Sequence, residues 1–324
     1  MTSILTNAAA MAALQTLRSI DNGLETTQAR VSSGLRVETA ADNAAYWSIA
    51  TTMRSDNRAL STVADALGLG AAKVDTAYTA LENVIDVMTE IKAKLVAARE
   101  PGVDKTKIND ELSELKNQLL SASQSASFSG ENWLYNSNFS PLGVKSVVAS
   151  FVRSANGNVS VATLDFDTSN SVLVDIKDPT RGYLTNAIDA DLLQDDPDNI
   201  PRLYHLFVAP GSFEPDPDSV EIKIDGSTSD AVLDDMISAV DHLIKKLTNA
   251  ASTLGAISKR IQMQESFVAT LGDVIDKGIG RLVDADMNEE STRLKALQTQ
   301  QQLGIQSLSI ANSSAENILQ LFRQ

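Results

Sequence analysis

The sequence predicts an α-helical rod, a long antiparallel coiled-coil bundle formed by both chain ends, with an inserted small mainly-β outer domain. Two observations predict this class. Apolar residues recur every three or four positions through both flanks of the chain, which is typical of long helices packed along their length. Seven of the eight prolines lie between residues 141 and 217, where apolar and polar residues alternate as in strands.

The longest helical repeat begins at Tyr46 and ends at Leu95. Steps of three and four residues connect its apolar positions, and only Asp56 and Gly70 interrupt them. A 3.5-residue repeat held this long predicts one helix of about 75 Å that packs on other helices. Its apolar members are Tyr46, Ile49, Met53, Leu60, Val63, Leu67, Val74, Ala77, Leu81, Val84, Met88, Ile91 and Leu95.

Two further stretches supply partner helices. The first follows a break at Pro101-Gly102 and is marked by Ile108, Leu112, Leu115 and Leu119. The second lies beyond the central part and is marked by Leu233, Ile237, Val240, Ile244, Leu247, Ala251, Leu254, Ser258, Ile261 and Val268. Because the helices on either side of the central part can pack on each other, we expect that part to be an insertion at the tip of a helical hairpin.

The central part is predicted to be a small acidic domain made mainly of strands. Residues 140–235 carry 17 acidic and 6 basic side chains. Turn sequences separate the strand-like runs, notably Asn-Gly-Asn at 156–158 and Asp-Gly at 225–226. The runs that predict strands are 147–152, 159–161, 172–174 and 220–224.

Both chain ends are poor in charge. The first 17 residues carry no charged side chain and the last 30 carry three. Each end shows a 3,4 repeat, which Asp21 and Gln28 interrupt near the N-terminus and which includes the polar Gln301 near the C-terminus. Such helices have little to pack on in an isolated rod, so we expect them to self-associate in an assembly. The alternative is an ordinary intramolecular core. The predicted self-association residues are Leu14, Leu17, Leu24, Val31, Leu294, Leu297, Leu308, Ala315, Ile318 and Phe322.

Composition excludes most enzyme chemistry. The chain has no cysteine, and its two histidines, His205 and His242, are too few for a multi-histidine metal site. We predict His205 to be a strand residue and His242 a structural or solvated helix residue. No phosphate-binding glycine loop or nucleophile triad is present. We therefore expect no catalytic, cofactor or metal site, and we interpret the acidic run at 189–198 as a solvated loop, with a weak calcium site as the alternative.

Charge and hydropathy also limit the partners. The chain has 27 Lys and Arg against 42 Asp and Glu, a net charge of -15, which argues against nucleic-acid binding. Its apolar stretches are too short to span a membrane. No basic region precedes Arg18, as it would in a cleaved secretory leader. The sequence leaves two locations open, the cytoplasm or export without a cleaved leader.

Motifs at both ends resemble the signatures of bacterial flagellins. Residues 31–37 read VSSGLRV and are followed by AADNAA at 40–45, while residues 280–287 read GRLVDADM. The stretch NILQLFR at 317–323 is similar to the C-terminus of that family. The version after Asp42 looks most like rhizobial-type flagellins. The signature positions are Ser33, Gly34, Leu35, Arg36, Asp42, Asn43, Asp284 and Asp286.

The resemblance covers about residues 1–140 and 231–324, and it implies a division of the chain into layers of a filament. Both ends would form an inner tube, the long helices the next shell, and the central part an outer decoration. The implied segments are 1–42 (N-terminal filament-core helix), 43–140 (N-terminal rod helices), 141–230 (variable outer domain), 231–282 (C-terminal rod helix) and 283–324 (C-terminal filament-core helix).

The resemblance further implies a structural subunit, not an enzyme, that polymerises into the extracellular flagellar filament for swimming. The implied partners are copies of itself and related flagellins, the filament cap, hook-junction proteins and an export chaperone. Secretion would use the flagellar type III apparatus, for which a chain without cysteine is suited because it cannot cross-link. The alternatives are a hook–filament junction protein of the same system, a hydrolase in the central domain, and a cytoplasmic coiled-coil scaffold.

Residues 89–96 resemble the flagellin stretch that an animal innate immune receptor reads. Glu90 stands where many flagellins have a basic residue, and Ala93 and Lys94 replace glutamate and leucine. The stretch that plants recognise corresponds to about residues 29–50, where three side chains also depart from the usual ones. The resemblance therefore implies weak recognition by both receptors.

Overall fold

The computed structural model describes residues 7–154, 156–193, 200–212 and 216–321, with side chains as far as residue 313. The helices of this part of the chain are α1 (Ala8–Ser33), α2 (Ala44–Ala97), α3 (Lys105–Ser125), α4 (Asp230–Val283) and α5 (Met287–Leu321). The described strands lie between α3 and α4. The predicted class, a mostly helical chain with long terminal helices and a small mainly-β central region, is confirmed. Within the described ranges, no helix is both long and apolar enough to cross a membrane.

The chain forms two compact units. The terminal unit comprises residues 1–58 and 271–324, and it contains α1, α5 and the adjoining ends of α2 and α4. The central unit comprises residues 59–270, and it contains the remainder of α2 and α4, all of α3 and the strands.

The core of the central unit follows the predicted repeat of α2. The repeat positions from Leu60 to Leu95 that carry an apolar side chain are all buried, and α3 and α4 contribute buried leucines from their own predicted repeats. Since each of these helices shields one stripe, the apolar periodicity is explained by packing along their length. The fully buried large side chains of this core include Leu67, Leu81, Met88, Ile91, Leu95, Leu112 and Leu119.

The predicted repeat is wrong at its beginning, in the terminal unit. Tyr46 and Ile49 are 42% and 50% exposed, whereas Ala50 is fully buried. Ala50 packs with Val37, Ile279 and the other members of a small apolar cluster. A strict 3.5-residue repeat drifts around a helix of 3.6 residues per turn, so the buried stripe at this end is carried by a neighbouring position.

Polar contacts join α2 to α4 within the central unit. Lys92 forms an ion pair with Asp241, and Arg99 Nη1 lies 2.7 Å from Asp234 Oδ1. Nearer the other end of the unit, Ser258 Oγ donates to an Asp75 carboxylate oxygen at 2.8 Å. Helix α2, from the N-terminal side of the central insertion, therefore packs on α4, from its C-terminal side, as the sequence predicted.

The break between α2 and α3 lies at the predicted position. Gly102 adopts a left-handed φ of 89°, which reverses the chain after α2 ends at Ala97. The Asp104 carboxylate then accepts the N–H of Thr106 at 3.1 Å and caps α3.

The central region contains short strands and one longer hairpin. Antiparallel pairs join β1 to β2, β4 to β5 and β7 to β8, while β3 pairs parallel with β6 and β8 with β9. The predicted turn at 156–158 closes the β4–β5 hairpin, where Gly157 has φ 82°. The strands are β1 (Ser127–Phe128), β2 (Glu131–Asn132), β3 (Tyr135–Asn136), β4 (Val144–Arg153), β5 (Val159–Asp167), β6 (Val174–Asp175), β7 (Ile188–Asp189), β8 (Leu203–His205) and β9 (Val220–Glu221).

Side chains of α3 form hydrogen bonds with residues 221–224, which follow the strands and precede α4. The buried Lys116 ammonium donates to Glu221 Oε1 at 2.9 Å and to the Ile222 carbonyl at 2.5 Å. Two turns earlier on α3, Asn109 Oδ1 accepts the N–H of Ile224 at 3.1 Å. Burial lowers the pKa of Lys116, against the opposing effect of Glu221. These contacts satisfy backbone groups that would otherwise lie against the apolar helix face.

Gly70, which interrupts the predicted repeat, makes room for the hairpin. A Cβ at this position would overlap Val147 Cγ1 and lie 3.2 Å from the Val147 Cβ. Val147 lies in β4 and is buried. The absence of a side chain at Gly70 therefore allows β4 to approach the backbone of α2.

We expect Gly70→Ala to lower the free energy of unfolding by about 1–3 kcal/mol, because the stiff Val147 side chain must be displaced. Gly68→Ala is the matched control, since an added Cβ there meets no atom within 4 Å. That change should stabilise the chain by up to about 1 kcal/mol through helix propensity. Urea unfolding of both variants measures the difference. Equal stabilisation by both substitutions would contradict the packing of β4 on Gly70.

Candidate self-association surface

The terminal unit pairs α1 with α5 in antiparallel orientation. The Asn7 side chain caps α1 by accepting the N–H of Ala10 at 3.0 Å, and its Nδ2 donates to the Ala311 carbonyl at 2.9 Å. At the other end of the pair, Arg30 Nη1 donates to Glu290 Oε1 at 3.2 Å. Specific contacts therefore join α1 and α5 at both ends of their described pair.

The pair leaves its predicted seam incompletely covered. Leu14 is 39% exposed, and among the described residues of α1 only Thr27 is buried. Glu290 is the buried residue of the described part of α5. The predicted residues Leu17, Leu24, Val31, Leu294, Leu297 and Leu308 are half-buried, whereas the side chains of Ala315 and Ile318 and the whole of Phe322 lie outside the described residues.

Further apolar side chains are exposed on faces that the sequence repeat does not include. Met11 on α1 is 58% exposed, and Ile310 on α5 is 69% exposed. Leu303 and Ile305 are also more than half exposed. These residues were not predicted, because a 3,4 repeat identifies only the one face of a helix that packs on a single partner. Apolar side chains on several faces indicate contacts with several partners.

The two flagellin-like signatures meet in one junction. Gly34 ends α1 in a left-handed conformation with φ 74°, and its N–H donates to the Arg30 carbonyl at 2.8 Å. Leu35 then forms an antiparallel bridge with Asp284. Ala285 N–H donates to the Gly34 carbonyl at 2.9 Å, which completes the bridge on its other side. Motifs separated by about 250 positions are therefore one structural element.

Arg36 fixes the junction to the end of α4. Its backbone N–H donates to the Val283 carbonyl at 2.6 Å, and its Nη2 donates to the Leu282 carbonyl at 3.0 Å. These are carbonyls that the helix itself leaves unpaired at its C-terminal end. The preceding Ser33 accepts the N–H of Leu35 at 3.3 Å.

The acidic and amide signature residues cap turns and helices. Asp42 Oδ2 accepts from the N–H groups of Glu38 and Thr39, and hydrogen bonds from Thr39 hold the pKa of Asp42 below its ordinary value. Asn43 caps α2 by accepting the N–H of Tyr46 at 3.1 Å. Asp286 caps α5 in the same way, since its carboxylate accepts the N–H of Asn288 at 2.9 Å. These residues shape the chain rather than perform chemistry.

The receptor-like segment lies on α2 in the central unit. Glu90 and Ala93 are exposed, whereas Lys94 is partly covered because its ammonium pairs with Glu111 Oε2 of α3 at 2.6 Å. The hydrogen bond and charge of Glu111 raise the pKa of Lys94. This pairing was not predicted, because the sequence does not show which helix faces Lys94.

Among the residues that the structure describes, neither histidine is placed in a recognisable catalytic arrangement. His205 ends strand β8, as predicted, and its Nδ1 is 2.9 Å from Ser219 Oγ. That hydroxyl donates to the Asp216 carbonyl. His242 lies on α4, also as predicted. In the described part of the chain, no group of three or more His, Cys, Asp or Glu side chains is placed to hold a metal ion.

His242 provides a pH-dependent contribution to stability. Burial lowers its pKa, and the charges of Lys246 and Lys245 lower it further, against Asp241. Lys92 of α2 lines the same cavity. Below about pH 6.5, His242 therefore binds a proton more readily in the unfolded chain than in the folded chain. The free energy of unfolding is unaffected by His242 titration above that pH, and it decreases as the pH falls below it.

We expect His242→Gln to reduce the drop in Tm between about pH 7.5 and 5.5, without changing the Tm at the higher pH by more than a few degrees. Asn249→Gln, an exposed position on the same helix, is the control and should keep the drop unchanged. An unchanged drop in His242→Gln would show that other groups carry the acid sensitivity.

Paired terminal helices with apolar side chains left exposed are typical of a structural protein that assembles. Two family models agree with this class. The bacterial flagellin N-terminal helical region matches residues 4–139, and the bacterial flagellin C-terminal helical region matches residues 237–322.

Curated relatives extend the match to the whole chain. Flagellin C of Rhizobium meliloti (strain 1021) is 70% identical over 327 residues, covering 100% of both chains. Flagellin D of the same strain is 50% identical over 402 residues, and a flagellin of Brucella melitensis biotype 1 is 42% identical over 328, again with complete coverage of both chains. The chain belongs to the bacterial flagellin family, and it is a structural subunit that self-polymerises into the flagellar filament. The hook–filament junction alternative is not favoured.

Proposed function

We propose that polymerisation buries the exposed apolar faces of α1 and α5 against other copies of the chain. Support comes from the incomplete cover of these helices, of which the 39% exposure of Leu14 and the 69% exposure of Ile310 are examples. Burying such side chains between copies stabilises the filament by about 25 cal/mol for each Å² of apolar surface removed from water. The residues assigned to this burial are the predicted set, from Leu14 to Val31 and from Leu294 to Phe322, together with Met11, Leu303, Ile305 and Ile310.

The proposal assigns a layer of the filament to each part of the chain. Residues 1–42 and 283–324 form the inner tube, 43–140 and 231–282 the rod layer around it, and 141–230 the outer domain. The acidic composition of the outer part supports this order, because repelling charges are best tolerated where they face solvent.

Export completes the proposed function. The chain is secreted by the flagellar type III apparatus, and it meets an export chaperone, the hook-junction proteins and the filament cap before it reaches its position outside the cell. Support comes from the absence of cysteine, since a chain without thiols cannot form cross-links in a narrow channel. Related flagellins are further partners within the filament.

Sheared cell-surface filaments provide the direct test. Electron microscopy should reveal a tube with an inner wall of paired helices, and mass spectrometry should identify this chain as a major component at many copies for each filament. A few copies near the hook would instead support a junction protein. Recovery of the chain from the cytoplasm alone would contradict secretion.

For residues 89–96, we propose weak recognition by the animal innate immune receptor. Glu90 presents a negative charge, and the pairing of Lys94 with Glu111 makes its ammonium less available to a partner. We expect the purified chain to activate the animal receptor at least about tenfold less potently than a flagellin with the usual basic and leucine residues, since one lost charge pair costs on the order of 1.4 kcal/mol. Restoring Glu90→Arg, Ala93→Glu and Lys94→Leu together should raise potency. Full potency of the unchanged chain would contradict the expectation.

A further inference from the structure

The α1–α5 pair has a register that its apolar repeats alone do not select. Leucines and alanines recur along both helices at seam positions, so a shift of one helix by seven residues again places seam on seam. Such a shift moves one helix by about 10 Å along the other. The apolar free energy of the pair would change little, and some other contacts must choose among the registers.

Six residues near the middle of the pair make contacts that are not equivalent at other positions of the repeats, and we call them the register cassette. Asp21, which interrupts the repeat of α1, meets Gln301, a polar position in the repeat of α5, since Gln301 Nε2 donates to Asp21 Oδ1 at 2.7 Å. On one side of them Leu17 lies over Gly304, where an added Cβ would be 3.0 Å from Leu17 Cδ1. On the other side Leu297 lies over Gly23, with its methyl groups 3.6 and 3.7 Å from an added Cβ. The register cassette is Leu17, Asp21, Gly23, Leu297, Gln301 and Gly304.

A shift in one direction places unlike groups together. Leu17 would oppose Leu297 instead of a glycine, and Asp21 would oppose Leu294. Two leucines then compete for a space that now holds one, and the carboxylate loses its amide partner.

A shift in the other direction leaves a gap. Gly23 would oppose Gly304 with no side chain between them, and Asp21 would oppose Leu308. At the end of the pair, Arg30 would also lose Glu290, to which it donates at 3.2 Å in the observed register.

We propose that the register cassette selects a single register for the terminal helices and so determines which apolar side chains the pair presents to neighbouring copies. Polar residues at isolated seam positions are known to specify register in coiled coils, and here size complementarity adds to that effect. The selection of a register involves only contacts within one chain. The effect of that register on contacts between copies rests on the proposed function.

The absence of cysteine allows a direct measurement. Spin labels at Thr26→Cys and Ser307→Cys, two exposed positions on α1 and α5, would be separated by about 20 Å along the pair in the observed register. A shift by seven residues changes this separation by about 10 Å in either direction. Labelled chains are incorporated as a minor component of filaments of the cysteine-free chain, and the distance is measured by pulsed electron spin resonance.

We expect one narrow distance in the otherwise unchanged chain. Replacing the cassette by Asp21→Leu, Gln301→Leu and Gly304→Ala should add populations displaced by about 10 Å. The exchanged pair Asp21→Gln with Gln301→Asp keeps an amide opposite a carboxylate, and it should restore the single distance. One undisplaced distance in the replaced cassette would overturn the inference, as would failure of the exchanged pair to enter filaments in the observed register.

A second substitution covers the case in which the replaced cassette does not enter filaments. Moving the acid by Leu14→Asp with Asp21→Leu, together with Leu17→Ala so that no leucine opposes Leu297 in the shifted register, should displace the main distance by about 10 Å. The relocated carboxylate would then reach Gln301 only in that shifted register. An undisplaced distance there overturns the inference. If the cysteine-free chain forms no filaments at all, the proposed function fails instead, so the two failures are distinguishable.

Discussion

Leu308→Ala is expected to prevent filament formation at concentrations just above the assembly threshold of the unchanged chain. Leu308 is half-buried in the α1–α5 pair, and in the proposed inner tube its remaining surface is covered by other copies. Fully burying a leucine stabilises by about 1.5–3 kcal/mol, and about half of that surface is left for neighbouring copies to cover. The concentration needed for assembly should therefore rise by roughly 3- to 12-fold. Sedimentation of seeded samples over a range of concentrations measures this threshold.

The control for Leu308→Ala is the same change at a leucine of the central region. Leu192 is 71% exposed, so Leu192→Ala removes little buried surface and should leave the assembly threshold unchanged. Both variants should keep the helical circular dichroism of the unchanged chain, since the core of the central unit is untouched. If Leu308→Ala formed filaments at the same threshold concentration as the unchanged chain, Leu308 of α5 would not lie in the assembly interface.

Gly34→Val is expected to open the junction of the two signatures and to prevent assembly. The residue has φ 74°, and an added Cβ would meet no atom within 4 Å, so the backbone conformation alone decides the effect. A β-branched residue in this region costs on the order of 1–3 kcal/mol. The amides of Arg36 and Ala285, which donate across the junction, should exchange with solvent about 5- to 100-fold faster.

Gly34→Asn separates this backbone effect from the loss of glycine itself. Asparagine adopts the left-handed region more readily than other residues, so this variant should keep most of the junction's protection and still assemble. Amides of the central unit, such as that of Leu81, should exchange at unchanged rates in both variants. Equal protection in Gly34→Val and Gly34→Asn would show that the conformation at residue 34 does not hold the junction.

Periodicity made much of the fold predictable. Repeats of apolar residues identified α2, α3 and α4, because one stripe of each helix is shielded from water along its length, and the break at Pro101-Gly102 follows from local backbone preference. Strand alternation located the β4–β5 hairpin and its turn at 156–158. Periodicity failed at Tyr46 and Ile49, where the apolar cluster contains Ala50 instead.

The candidate site was predictable only in outline. Charge-poor ends and their repeats indicated helices that associate, but the exposed Met11 and Ile310 lie outside the repeat. Likewise, the sequence showed Asp21 as an interruption of one repeat and Gln301 as a polar position of the other, since nothing in either repeat states which residue it faces. Their pairing depends on one alignment of two segments that are 280 positions apart.

The sequence by itself therefore determined the helices, the acidic strand-rich insertion, the lack of any recognisable catalytic motif and the resemblance of both ends to one family, because each of these depends on local composition or period. The tertiary structure alone decided that the two signatures form one junction through Leu35 and Asp284, that Gly70 admits Val147, and that Asp21 meets Gln301. The physical reason is that these contacts depend on register between distant segments, which a repeating pattern leaves undefined and only the packed chain selects.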